Sequence, residues 1–366
     1  MEESMKKLSI IFLLIACMAS FALAQDVDTS AQADTNNRGM SGFTFLKLPA
    51  TARQAALGEA IYSNDISASA MFGNISEIAD IKGTSMYYTN IMLYDNLFQV
   101  SNFALTTKIS ERMALGVMAQ YLTTDPIEIT TLDDPDGTDI DYKYHDMALG
   151  VGMGYRVTRR FSIGMKAKFV EEKIYNTSAT AFLFDVSTLY RLQYSNIKIA
   201  AILENYGTDT KFSGNDLWRQ VDTTTGSGIP DETDPDRPVE MNTKEFGAPI
   251  KIVVGISGDF LGSNSAFLND MDDHVGTLYA SMFKTNDQKE SFHLGMEYQF
   301  IGLEGFQFAL RGGYIMYQEE DWENRFSAGA GLVAHMSDTY ALVIDYAYKT
   351  HEDLDESHVF SVGFNF

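Results

Sequence analysis

From residue 83 onward the chain alternates apolar and polar positions in segments of similar length, each closed by turn residues. The alternation is sharpest late in the chain. Over 290–301, Phe292, Leu294, Met296, Tyr298 and Phe300 share one parity, and His293, Gly295, Glu297 and Gln299 the other. Over 306–316, Phe306, Phe308, Leu310, Tyr314 and Met316 oppose Gln307, Ala309, Arg311 and Gly313. Over 339–349, Tyr340, Leu342, Ile344, Tyr346 and Tyr348 oppose Asp345. A period of two is the side-chain repeat of a strand. Such segments lie at 83–93, 97–108, 112–122, 145–156, 160–172, 180–192 and 196–204, then at 248–257, 275–284, 290–301, 306–316, 325–335, 339–349 and 357–366, fourteen in all. A tilted strand crosses a bilayer in about 9–11 residues, and bacterial outer-membrane barrels have even strand numbers.

The last segment, HVFSVGFNF, keeps its alternation to the final residue. Chain ends normally fray, so a terminal strand this regular must be paired. In a barrel it pairs with the first strand, because an open edge in lipid would leave backbone N–H and C=O groups without partners. The pattern therefore predicts an all-β fold, a fourteen-stranded antiparallel transmembrane β-barrel over 83–366. A soluble sandwich also alternates, but connection lengths separate the two. Alternate connections at 109–111, 157–159, 193–195, 302–305 and 336–338 are short, with 258–274 the exception, whereas 123–144 and 205–247 are long and acidic. Short periplasmic turns opposite long extracellular loops are the barrel arrangement.

Two segments precede the barrel. Residues 1–24 read as a secretory signal peptide, with Lys6 and Lys7 ahead of an apolar run and Ala22-Leu23-Ala24 as the cleavage site. Leu14-Ile15-Ala16-Cys17 is an alternative, lipoprotein-type site. Residues 25–82 form an N-terminal polar segment and then a hatch. The stretch to residue 39 is polar and expected to be disordered. Ala-rich 50–60 is helix-compatible, as is 64–72, with Ser63 and Asn64 as its caps.

Composition narrows the function. The net charge of −23 opposes binding to nucleic acid. Cys17 is the single cysteine, so a chain cut after Ala24 has no disulfide, thiolate metal site or cysteine nucleophile. The histidines at 145, 274, 293, 335, 351 and 358 show no metal spacing, and no nucleophile–base–acid order stands out. The expectation is a non-enzyme without cofactor or metal. The loop Asp133–Asp141 has the carboxylate density of a calcium loop. It fails the EF-hand template, which would place Leu132 first and Lys143 twelfth, so a solvated acidic loop is the favoured reading. Gly150, Gly152 and Gly154 share the inward parity and leave room for a plug.

Parity also places Lys166, Lys168, Asp185, Arg191, Lys251, Glu297, Arg311 and Asp345 in the lumen. They either line a conduction path or neutralise one another. The second is favoured, since buried charges without partners are costly. Arg53 and Glu59, polar residues in an apolar stretch, are candidates to anchor the hatch.

Phe45-Leu46-Lys47-Leu48, Ala52-Arg53, Ala56-Leu57-Gly58-Glu59-Ala60, Asp65 and Ala68 together resemble the N-terminal signature of the PorV/PorQ family. Phe184-Asp185, Leu189-Tyr190-Arg191, Pro249-Ile250-Lys251, Arg311-Gly312-Gly313-Tyr314 and Asp345-Tyr346 extend the resemblance. One departure is Asn74-Ile75-Ser76, where the family has Asn-Pro-Ala. The resemblance implies a FadL-like outer-membrane barrel with an N-terminal hatch, built around Phe45, Leu46, Lys47, Arg53, Gly58, Glu59, Asp65 and Asn74. It implies a role in type IX secretion and surface attachment. Its partners would be outer-membrane lipid, secreted cargo proteins and secretion-system subunits. FadL-like relatives offer the alternative of transporting hydrophobic small molecules. Phe364 and Phe366 resemble the C-terminal signal that outer-membrane proteins present to the barrel insertion machinery.

Overall fold

The computed structural model describes residues 39–94, 97–192, 196–221, 237–262, 266, 268, 272–318, 325–337, 339–350 and 356–366. The expected signal peptide, the polar segment up to residue 38 and the expected turn at 193–195 lie outside them. The wall consists of β1 (Thr84–Leu93), β2 (Phe98–Ser110), β3 (Met113–Thr124), β4 (Tyr144–Arg156), β5 (Phe161–Ile174), β6 (Thr177–Arg191) and β7 (Lys198–Gly207). It continues with β8 (Lys251–Leu261), β9 (His274–Thr285), β10 (Gln288–Leu303), β11 (Phe306–Tyr317), β12 (Arg325–His335), β13 (Ala341–Lys349) and β14 (Ser357–Asn365).

Every strand pairs antiparallel with its sequence neighbour, and β14 returns to β1 in the register Ser85↔Asn365 through Met92↔His358. Phe366 N donates to Thr84 O at 2.9 Å, so pairing reaches the last residue. The fold is a closed fourteen-stranded antiparallel barrel. Strand β8 starts at Lys251, later than the pattern indicated, and also ends later, because its pairing with β9 continues past an irregularity at Asp259/Leu261. The connection expected at 258–274 thus shortens to 262–273. We call the end carrying 125–143 and 208–250 the outer end, since long loops are extracellular in such barrels.

The alternation sorts by chemistry. Outward positions include Val151, Phe182, Phe308, Leu310 and Phe326, all exposed and apolar. A contiguous apolar exterior of this kind belongs in lipid. Inward positions mix small and polar residues with buried apolar ones such as Ile91, Val170 and Leu183, and an N-terminal hatch fills the space between them.

The hatch consists of short helical turns: 3₁₀ at Thr44–Lys47, α1 (Ala52–Ala56), and 3₁₀ at Ala68–Phe72 and Ile75–Asp80. Thr51 caps α1 by accepting from Gln54 N. Gly58 follows α1 with φ +59°, and a Cβ there would sit 2.8 Å from Tyr314 N in β11. The helix expected over 64–72 is confined to Ala68–Phe72 and capped by Ser67, not by Ser63 or Asn64. Asn64 is engaged elsewhere: its Nδ2 donates to Tyr279 OH at 3.1 Å, and its Oδ1 accepts from Lys198 at 2.5 Å. Tertiary bonds outcompete the local cap. Asn74, where the family pattern continues with proline, caps the Ile75–Asp80 turn through Ser76 N and donates to Tyr62 O at 2.8 Å.

The hatch is apolar where it meets the wall. Phe45, Ala55, Leu57, Met71, Ile75 and Ile78 are buried. Inward glycines let the backbones touch: a Cβ on Gly154 would lie 2.8 Å from Ala79 N and 2.9 Å from Ile75 O. Gly154→Val is therefore expected to destabilise the folded protein by about 1–3 kcal/mol through overpacking against backbone. Gly312→Val is the control, since its Cβ would meet open space. Urea unfolding in detergent micelles checks the pair. Equal midpoints for both variants would refute tight seating of the hatch.

Candidate functional site

Charged side chains from hatch and wall meet in alternating sign across the lumen. Asp65 lies 3.8 Å from Arg53, Arg53 Nη2 2.7 Å from Glu297, Arg311 Nε 3.5 Å from Glu297, and Arg311 Nη1 2.6 Å from Asp345. Tyr87 OH donates to Asp345 at 2.8 Å. This line ties the hatch to β10, β11, β13 and β1. Glu297 and Asp345 are almost wholly buried, and each faces a guanidinium. Arg53 sits in α1, which the Thr51 cap starts and which packs against β12 and β13.

Further clusters complete the fastening. Lys166 and Lys168 both lie 2.9 Å from Asp185, and Lys166 also donates to Met71 O of the hatch at 2.6 Å. Lys251 meets Glu204 at 2.6 Å and Tyr62 OH at 3.1 Å. At the inner rim Asp80 accepts from Arg156 Nε at 2.9 Å and also pairs with Arg191. At the outer rim Lys47 pairs with Asp287 at 2.8 Å and Lys349 with Glu59 at 2.6 Å.

The electrostatics of the hatch follow from these partners. Burial would raise the Glu59 carboxyl, but the Lys349 ammonium more than offsets it and holds the group below its usual range. Burial works against the Arg53 charge as well, and the Glu297 carboxylate overcomes it, raising Arg53 well above normal. Glu77 behaves in the opposite way. Burial, with Asp65 nearby, pushes its carboxyl up to about 8. Its Oε2 accepts from Asp65 N at 3.0 Å, and its Oε1 has no partner among the described residues.

Above the hatch, at the outer end, lies a cavity of about 340 Å³. Leu48, Ile91, Leu93, Phe283 and Val359 supply its apolar surface, and the charged side chains of Lys47, Glu59, Lys251, Lys289, Arg325 and Lys349 line it as well. Two smaller spaces beside the hatch measure about 20 and 10 Å³. The outer space is within the range of about 300–1,000 Å³ that holds small ligands, whereas the smaller ones hold single waters at most.

Asp185, Lys251, Glu297, Arg311 and Asp345 thus all point into the barrel and are paired there, and Lys47, Arg53, Glu59 and Asp65 of the hatch reach charged partners or hydroxyls. Phe45 is buried, while Leu46 is half-buried. Phe366 is exposed at the inner rim beside Phe364, with ring centroids 5.5 Å apart. Sequence reasoning missed Glu204, Lys349, Asp80, Arg156 and Asp287. Lys349 was findable, since it shares the parity of Asp345 four residues earlier. Asp80 and Asp287 sit in non-strand segments, where parity says nothing.

No family model matches the chain, and no curated protein sequence matches it. Among solved structures it is similar to the CymD monoaromatic hydrocarbon channel, with 12% identity over 87% of this chain and 97% of that one and a TM-score of 0.56. It is also similar to the Pseudomonas putida toluene transporter TodX, with 8% identity over 86% of this chain and 96% of that one and a TM-score of 0.51. The likeness is one of fold: these are FadL-family fourteen-stranded outer-membrane barrels.

Proposed function

We propose that this protein is an outer-membrane transporter that admits hydrophobic small molecules, with the outer cavity as the first binding site and the hatch as the gate. The observation that carries the reading is the cavity itself, a space at the outer end floored by the hatch, where Leu48, Ile91, Leu93, Phe283 and Val359 form an apolar surface among charged side chains. The hydrocarbon and toluene specificities in the names of the structural neighbours support the same substrate class. Below the cavity the lumen is filled, so passage requires the hatch to shift or its ion pairs to exchange. The work is binding and gating, with no bond made or broken. In this reading residues 1–24 direct export to the outer membrane.

Filling the cavity tests the reading. Val359→Trp, on β14 at the cavity wall, is expected to slow uptake of toluene or a medium-chain fatty acid into cells about tenfold. That corresponds to losing roughly 1.4 kcal/mol of binding. Heat-modifiable migration on gels confirms that the barrel has folded. Unchanged uptake by a folded Val359→Trp protein would refute the cavity as the binding site.

A second reading rests on the stretch 43–60, whose resemblance to the PorV/PorQ signature falls on the hatch. Under it the protein serves type IX secretion and hands cargo to the surface attachment machinery. Affinity isolation from native outer membranes, with proteins and lipids identified by mass spectrometry, separates the two. Cargo proteins sharing a C-terminal sorting domain, or a giant translocon barrel, support secretion. Bound hydrophobic molecules without protein partners support transport.

A further inference from the structure

Two carboxylates face each other at the outer end of the wall. Asp146 of β4 and Glu172 of β5 are direct cross-strand partners. Both have the inward parity of Ala148 and Val170, which are buried in the same core as Phe43 of the hatch. They lie close to Tyr144 and Ile174, the outer ends of their strands. Residues so opposed have Cβ atoms about 4.5–5.5 Å apart, and like charges there are destabilising.

The surroundings do not neutralise the pair. Asp146 is 1% exposed. Its Oδ2 accepts from Tyr144 OH at 2.9 Å, and its Oδ1 has no partner among the described residues. Glu172 stands beside the same hydroxyl, and its Oε2 accepts from Phe43 N at 2.7 Å. Both donors are neutral. Lys168, further down β5, is committed to Asp185 at 2.9 Å, and Lys47 to Asp287 at 2.8 Å. Lys173 and His145 have the outward parity. Elsewhere in the lumen the carboxylates are answered: Asp185, Glu204, Glu297 and Asp345 each meet an ammonium or guanidinium at 2.6–2.9 Å. Among the described residues no cation forms an ion pair with Asp146 or Glu172. A buried charge without a partner is costly.

We propose that Asp146 and Glu172 together bind a hard divalent cation, calcium or magnesium, taken up from the outer side. Carboxylate oxygens are the ligands such ions select, and magnesium is commonly held by one or two carboxylates with water completing its shell. The unpartnered Oδ1 of Asp146 supplies one ligand, and Glu172 supplies the second from the facing strand. The ion replaces a repulsion by two attractions. With so few protein ligands the site belongs with weak extracellular ones, whose dissociation constants are roughly 0.1–1 mM. Because Glu172 also holds Phe43 N, an ion here joins β4 and β5 to the N-terminal end of the hatch. None of this depends on the transport reading.

Urea unfolding of the full chain in detergent micelles tests the site, first after treatment with EDTA and then with CaCl2 or MgCl2 added. At about 10 mM ion, the folded-to-unfolded ratio of the unsubstituted protein is expected to rise roughly tenfold to a hundredfold, read as a higher urea midpoint. Asp146→Asn and Glu172→Gln keep the shape of each side chain and relieve the repulsion. Both are expected to be at least as stable as the unsubstituted protein in EDTA and to gain little from either ion. Asp136→Asn, in the acidic outer loop, controls for binding there and is expected to respond like the unsubstituted protein. No rise in the unsubstituted protein would overturn the proposal and leave a shared proton as what balances the pair. An equal rise in Asp146→Asn and Glu172→Gln would overturn it too, as would a response lost in Asp136→Asn alone.

Discussion

Glu297→Leu is expected to destabilise the seated hatch by about 3–5 kcal/mol, the usual effect of removing one partner from a buried ion pair. Glu297 is 1% exposed and stands between two guanidiniums, Arg53 of the hatch at 2.7 Å and Arg311 of the wall at 3.5 Å. Arg311 keeps Asp345 at 2.6 Å, so its charge remains compensated. Arg53 keeps only Asp65 at 3.8 Å, with neutral bonds to Asn64 O and Tyr279 OH. Most of the penalty therefore falls on the hatch side. It is read as a lower urea midpoint in detergent and as faster proteolysis of residues 39–82, while the wall strands stay protected. Adding Arg53→Met to Glu297→Leu removes the stranded charge and is expected to recover a large part of the loss, because an apolar pair of similar volume is often neutral or better. Stabilities that simply add across the two substitutions would show that the pair is not coupled and would defeat this account.

The second large effect is a loss of stability with rising pH that traces to Glu77. Burial and nearby Asp65 push its carboxyl up to about 8 in the folded hatch, whereas an unfolded glutamate titrates near 4.3. The folded-state value is raised, so the contribution is fully present below about pH 4.3 and is lost as pH rises toward 8, after which it levels off. Over that window the change is about 3–5 kcal/mol, since each tenfold difference in proton affinity between folded and unfolded chain is worth roughly 1.4 kcal/mol. Glu77→Gln keeps an acceptor for Asp65 N, removes the titrating group and should flatten the curve. Lys198 and Arg53 lie close enough to favour the charged form and temper the effect. Urea midpoints of the two proteins between pH 5 and 9 decide the matter. Parallel profiles would rule out Glu77 as the source. A hatch that loosens in mild alkali would also transport faster there, if the hatch is the gate.

These two residues illustrate what was legible before folding. Glu297 was readable because it interrupts a strand whose parity is otherwise unambiguous, and the cost of an unpaired buried charge implied a partner. That the partner would be Arg53 was not readable, since it lies 244 residues away in a segment without strand periodicity. Glu77 gave no signal. It sits in a short 3₁₀ turn where the sequence showed only a departure from a proline motif, and its burial depends on walls contributed by β3, β4, β5 and β6. The helix caps erred for the same reason. Ser63 and Asn64 look like caps locally, but Asn64 finds Tyr279 and Lys198 across the lumen and the helix retreats to Ser67.

What the chain alone determined is the wall: fourteen strands, their parity, the ring closure implied by an alternating C-terminus, and the inward direction of its charges. These follow from a backbone that must satisfy its hydrogen bonds in lipid and from side chains that must alternate between lipid and lumen, constraints that act on every residue of a strand and so leave a repeating trace. What only the tertiary structure decided is the content of the lumen: which charge meets which, how the hatch threads from outer to inner rim, and the cavity it leaves above itself. Those depend on single contacts between segments far apart in sequence, each made once, and a contact made once leaves no period to read.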